Sequence, residues 1–243
     1  MASDHQAADQ IDVGRIMSAS LQALRLKLGD LLALGVFFIL APQVALGFAP
    51  QYPDPEFAAW NFLAVLPTLV FDGAACLIVN AALAGGELGA TDAIRQGALR
   101  FGGMFLISLV SGLGILLGLI LLVAPGLYLA AGWLAAIPLM MLEQTTAVEA
   151  LKRSHALSAG SRWRLLGVMA LMAALVAGGF LLSISIISAI SLASSLETAT
   201  RVGAFIVQPL FALAVRIMIM TVSTATYLEL RRHAVPKTGA VFD

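Results

Sequence analysis

The sequence predicts an all-α fold: a polytopic membrane helix bundle of six transmembrane helices, with short amphipathic cytoplasmic helices leading into them. Three observations predict it. Of the 243 residues, 60% are hydrophobic and 12% charged, with a mean hydropathy of +0.95. Soluble domains carry about 25% charged residues, and so large an apolar surplus leaves no wettable surface. Apolar runs of membrane-spanning length recur six times, at roughly 29–48, 58–84, 102–123, 127–142, 164–190 and 202–228. They are far longer than the roughly 10 alternating residues of a barrel strand. Lipid offers no partner to an unpaired backbone group, so they are helices. The third observation is the lopsided placement of the basic residues between these runs.

Taken in order, residues 1–10 are polar and read as a disordered tail, residues 11–232 as the six-helix membrane domain, and 233–243 as a C-terminal tail. The first apolar run starts near Leu28, too late for a secretory signal peptide, and is expected to stay as a membrane helix. The amphipathic segment IDVGRIMSASLQALRLKLGDLL (11–32) leads into it without a linker. Span two carries Asp72. GATDAIRQGALRFGGMFL (89–106) then leads into span three, where Gly114 and Gly118 form a GxxxG preceded by Ser108 and Gly112. Small residues at that spacing permit close helix contact, within the chain or in a homo-oligomer. Span four is short unless it shares its outer end with the Pro125-Gly126 turn. Span five carries Ser183, Ser185, Ser188, Ser191, Ser194 and Ser195 near its outer end. Their hydroxyls can bond back to the helix, or line a pore. Span six carries Arg216. Pro42, Pro67 and Pro209 should kink their helices. The chain thus reads as three units, each a lead-in helix followed by a membrane hairpin, with a weak residue-level match.

Basic residues set the orientation. Arg15, Arg25, Lys27, Arg95, Arg100, Lys152, Arg153, Arg162, Arg164, Arg231, Arg232 and Lys237 all fall on one side, twelve of fourteen. The opposite loops hold Asp54, Glu56 and Glu197 against Arg201 alone. By the positive-inside rule both termini face the cytoplasm.

The third lead-in segment, LEQTTAVEALKRSHALSAGSRWRLL (142–166), is the most polar stretch inside the domain. Thr146 and Glu149 have capping-box spacing, and Glu149 and Arg153 stand four apart with the acid first. This predicts a helix over about 145–158 lying at the cytoplasmic interface, with Trp163 anchoring the next span. Ser154 and His155 as a nucleophile and base is the competing reading. Adjacent helical residues point about 100° apart and no GxSxG is present, which disfavours it.

Asp72 and Arg216 are the only charges near the middle of any span, with opposite signs. Each lies about 12 residues from the inner end of its span, a depth of about 18 Å at 1.5 Å per residue. A structural ion pair, a polar translocation site, and separate groups served by water or a shifted protonation are the three readings. Asn61, Asn80 and Gln208 can join such a network. Other chemistry is thinly provided for. GGELGAT (85–91) lacks the GK[ST] of a phosphate-binding loop, and His5, His155 and His233 are too scattered for a metal. The single Cys76 excludes a disulfide framework and a cysteine-based zinc site. No cofactor is expected, and a net charge of zero gives no nucleic-acid signal.

The stretch PGLYLAAGWLAAIPLMMLEQTTAVEALKRSHALSAGSRWRLL (125–166) resembles the glycerophosphoryl diester phosphodiesterase membrane-domain family. Pro125-Gly126, Trp133, Pro138, Glu143, Ala150, Ser154, Leu157, Gly160 and Trp163 carry the likeness, with IDVGRIMSASLQALR at the start and TATYLELRR at the end. The resemblance implies a bacterial inner-membrane protein. In that family hydrolysis belongs to a separate soluble barrel domain, for which this chain has no room. The expected role is therefore an accessory or scaffold without its own catalytic site, linked to lipid or glycerophosphodiester metabolism. Its expected partners are bilayer lipid and a membrane or soluble protein. A transporter or channel using Asp72 and Arg216 is the alternative, and a membrane-embedded headgroup hydrolase comes third.

Overall fold

The computed structural model describes residues 11–48 and 56–234. The expected tails fall outside the described residues except for His233 and Ala234, which complete the last helix. Among the described residues there is no strand. Helix α1 (Val13–Gly35) starts at Asp12, whose Oδ1 accepts from the Gly14 N–H at 2.8 Å. It kinks at Lys27 (φ −129°, ψ 19°) and continues through a π turn (Val36–Leu40) into α2 (Ala41–Leu46). Helix α3 is Phe57–Leu83, α4 is Ala90–Leu99 and α5 is Phe101–Leu121. Helices α6 (Val123–Trp133) and α7 (Ala136–Glu143) make up the fourth span, followed by α8 (Ala147–Leu157) and α9 (Arg162–Ala193). Helix α10 (Leu196–Val202), a second π turn (Gly203–Val207) and α11 (Gln208–Ala234) complete the chain. Six of these stretches are long and apolar enough to cross a membrane. The chain is an all-α, multi-pass helix bundle.

Two of the three prolines act alike. Pro42 and Pro209 each sit second in the segment after a π turn. A proline ring clashes with the carbonyl four residues earlier and offers it no N–H, and the wider π turn takes up both defects. Pro67 lies inside a continuous α3. The two π turns belong to spans one and six, whose outer ends touch: the Phe48 and Phe205 rings meet at a tilt of 56°, with centroids 4.8 Å apart.

Spans three and four close as a tight antiparallel hairpin. A single residue, Leu122, with extended backbone, separates α5 from α6. A Cβ on Gly118 would meet Gly126 Cα at 2.8 Å, and one on Gly114 would meet the Trp133 ring at 2.7 Å. The GxxxG therefore packs within the chain.

The bundle divides into two zones along its length. Leu196–Ala234 would extend about 58 Å as one helix, against a hydrocarbon thickness of about 30 Å. Large exposed apolar side chains stop at Val65 on α3 and at Leu210 on α11. Beyond them Phe71–Val79 and Met220–Tyr227 are buried without a gap. The first half of α1, α4, α7 and α8 jacket these inner halves. Their outward residues are mixed: Ser18, Gln22 and Arg25 beside Leu21 and Leu26 on α1, Thr91, Asp92, Arg95 and Gln96 beside Leu99 on α4, Glu149, Lys152 and Arg153 beside Val148 on α8. Such a mixed surface suits a headgroup boundary, where charged and apolar side chains both find partners.

The two later lead-in helices fold back onto the bundle. Helix α4 turns back at Gly85, whose φ of +73° suits glycine, and packs along α3. A Cβ on Gly97 would meet the Val70 carbonyl at 2.9 Å. Helix α8 likewise turns back at Gln144 (φ 56°) and buries Ala147, Ala150, Leu151 and Ser154 against protein. Its apolar side is covered by α5, α6 and α7 instead of lipid. An amphipathic pattern specifies a face to be covered, and here small residues let a neighbouring helix cover it.

Candidate functional site

Polar groups converge at three places in the bundle. The first joins spans two and six. Arg216 Nη2 donates to Asp72 Oδ2 at 2.6 Å and to Thr68 Oγ1 at 3.2 Å, while the Thr68 hydroxyl donates to the Val65 carbonyl. Asp72 is 1% exposed and Arg216 31%. Asp72 Oδ1 and Arg216 Nε have no hydrogen-bond partner among the described residues.

The surface around this pair is polar close by. Gly97 packs on Val70 and Gly73, one turn around from Asp72, while Arg95 and Gln96 beside it are exposed. On the other flank Gly35 touches Leu213, and the Lys27–Asp30 pair (3.2 Å) lies just inward of it on α1. Charged surface therefore reaches the level of the Asp72–Arg216 pair, which sits at the junction of the two zones.

The second place gathers the family-signature positions. Glu143, at the end of α7, accepts from Tyr227 Oη at 2.9 Å through one oxygen and from Arg153 at 2.8 Å through the other. Arg153 also reaches Glu149 at 2.9 Å, and Thr146 Oγ1 caps α8 by accepting from the Glu149 N–H. Ser154 Oγ donates to the Gly132 carbonyl at 2.8 Å, and Ser223 Oγ to the Leu134 carbonyl at 2.6 Å. His155 packs on Gly132, where a Cβ would meet Nδ1 at 2.6 Å. Arg162 stands 2.9 Å from His155 Nε2, with its guanidinium 3.8 Å from the Tyr128 ring centroid. Ser154 and His155 thus engage different neighbours, and the nucleophile–base geometry is missing. Pro138 is buried, Gly160 stands in open space, and Trp163 is 88% exposed at the start of α9. Among the span-five serines, Ser183, Ser185, Ser191 and Ser194 donate to carbonyls of their own helix, while Ser195 Oγ caps α10 by accepting from the Thr198 N–H.

The third place went unread in the sequence. A cleft of about 530 Å³ opens between α1, α3 and α11, lined by Arg15, Arg231, Arg232, Glu229, Gln22 and Asn80 above an apolar floor. Glu229 is 4% exposed, with Arg15 Nε at 3.5 Å, Arg232 Nη1 at 3.8 Å and His233 Nε2 at 3.2 Å. Its one sequence signal was an acid preceding paired arginines within TATYLELRR.

Among the described residues no group of three or more His, Cys, Asp or Glu could hold a metal. Fold and sites together define a multi-pass membrane domain whose polar side chains tie helix to helix. The family model described as the membrane domain of glycerophosphoryl diester phosphodiesterase matches residues 104–235, and the chain belongs to that family. The match runs from α5 through α11, so it contains Arg216 and the Glu143 cluster, and Asp72 lies before it. Neither a curated protein nor a solved structure matches the chain.

Proposed function

We propose that the chain is an inner-membrane accessory or scaffold domain without its own catalytic site, with both termini in the cytoplasm, serving lipid or glycerophosphodiester metabolism. One observation carries this reading. The polar side chains a hydrolase would need are engaged in holding helices together: Glu143 by Tyr227 and Arg153, Ser154 by the Gly132 carbonyl, Asp72 by Arg216. The charged surface of α4 and α8 gives a soluble partner a docking face, and the distribution of basic residues supports its cytoplasmic side. Affinity purification in mild detergent, with identification of co-purifying proteins, tests the proposal. A recurring partner of lipid or phosphodiester chemistry is expected. A chain that recovers alone and moves a solute across proteoliposomes overturns it. That transport reading draws on the partial exposure of Arg216 and the unpartnered Asp72 Oδ1.

A further inference from the structure

We propose that the cleft between α1, α3 and α11 binds a phosphate ester: the phosphate of a lipid headgroup or of a free glycerophosphodiester. The proposal goes beyond the accessory reading and does not depend on it. Folding brings Arg15, from the first turn of α1, beside Arg231 and Arg232, from the last turn of α11. Among the lining residues only Glu229 is acidic, so the walls carry a net +2. Like charges gathered from opposite ends of a chain repel, and with Asp12, 3.6 Å from Arg15 just outside the lining, the group still keeps a net +1.

Glu229 does not complete that neutralisation. Its carboxylate is almost wholly buried and reaches Arg15 and Arg232 only at 3.5 and 3.8 Å. The two guanidiniums stay 53% and 70% exposed. Each offers five N–H donors in a fork that matches phosphate oxygens; Glu229 and, for Arg15, Asp12 at 3.6 Å reach them only at long range and leave most of them open. Gln22 and Asn80 add amide donors, while Ile16, Leu83 and Leu228 give a glycerol or acyl carbon an apolar wall. The volume, about 530 Å³, lies within the roughly 300–1,000 Å³ of small-molecule sites.

The full chain in a neutral detergent is titrated calorimetrically with inorganic phosphate and with glycerophosphocholine. In parallel it is mixed with phosphatidylglycerol, or with diacylglycerol of the same chains, and read by native mass spectrometry. One saturable phosphate-dependent site is expected. Binding in the soluble arm identifies a free ester, and retention of phosphatidylglycerol over diacylglycerol identifies a headgroup. Arg15→Gln and Arg232→Gln should each weaken binding by about tenfold to a hundredfold, the factor a hydrogen bond to a charged group carries. Arg95→Gln, exposed on α4 away from the cleft, should leave it unchanged. Glu229→Gln removes the competing carboxylate and should tighten it. If either arginine variant unfolds, Arg15→Lys and Arg232→Lys keep the charge and should retain part of the affinity. Absence of phosphate-dependent binding in both arms overturns the proposal. So does an Arg95→Gln variant that weakens binding as much as the cleft variants.

Discussion

Replacing Arg216 by Gln should destabilise the protein more than replacing Asp72 by Asn, although the two side chains form one ion pair. In Arg216→Gln the Asp72 carboxylate, 1% exposed, loses its 2.6 Å partner. The nearby Thr68 hydroxyl is already committed to Val65. A stranded buried charge costs about 3–5 kcal/mol. In Asp72→Asn the arginine, 31% exposed, reaches solvent, and the new amide oxygen still accepts from it. What is lost is the charge assistance of one hydrogen bond, about 1–2 kcal/mol. The double variant has no charge to strand and should recover about 2 kcal/mol or more of the summed losses. The chain supplies its own assay, since its single cysteine, Cys76, is fully buried and reacts with a thiol dye only on unfolding. At about 2–4 °C per kcal/mol, Arg216→Gln should lower the unfolding temperature by roughly 6–20 °C and Asp72→Asn by roughly 2–8 °C. Additive losses in the double variant would reject the pair. An Asp72→Asn loss as large as that of Arg216→Gln would reject the burial argument.

Three further outcomes follow from packing and placement. Gly97→Ala drives a Cβ to 2.9 Å from the Val70 carbonyl and should cost about 1–3 kcal/mol. Gly112→Ala, with nothing within 4 Å, should be neutral or stabilising in the same thiol assay; equal effects would mean that α4 does not pack on α3. Tyr227→Phe removes the 2.9 Å bond to Glu143 and should cost about 1–2 kcal/mol; a neutral result in denaturation would show that Glu143 is held by Arg153 alone. A cysteine at Gly160 should be labelled only from the cytoplasm and one at Leu196 only from outside. Labelling of the Gly160 position from outside in intact cells would overturn the proposed orientation.

Local chemistry made much of this legible in the sequence. Apolar runs of spanning length mark all six membrane stretches, because hydrocarbon requires them whatever the packing. The Thr146 cap and the Glu149–Arg153 pair are neighbours along one helix, so spacing alone locates them. Span ends at similar counts placed Asp72 and Arg216 at a common level, and their side chains do meet. The absolute depth was not legible, since it depends on how far each helix projects beyond the lipid. The fold-back of α4 and α8 was hidden for a related reason: periodicity marks an apolar face and leaves open whether lipid or protein covers it. Gly97 and Gly132 settle that choice through contacts with Val70 and His155 that spacing does not encode. The arginine cleft was least visible. Arg15 and Arg232 stand at opposite ends of the chain, and only the packing of α1 on α11 unites them.

We propose that the polar side chains of this membrane domain hold helices together and perform no hydrolysis. The most direct measurement is turnover of glycerophosphocholine by the chain purified to homogeneity in detergent, alone and with any partner recovered alongside it. No turnover above empty micelles is expected for the chain alone, with unchanged background for Glu143→Gln and Ser154→Ala. Turnover by the chain alone that disappears in either variant would contradict the proposal.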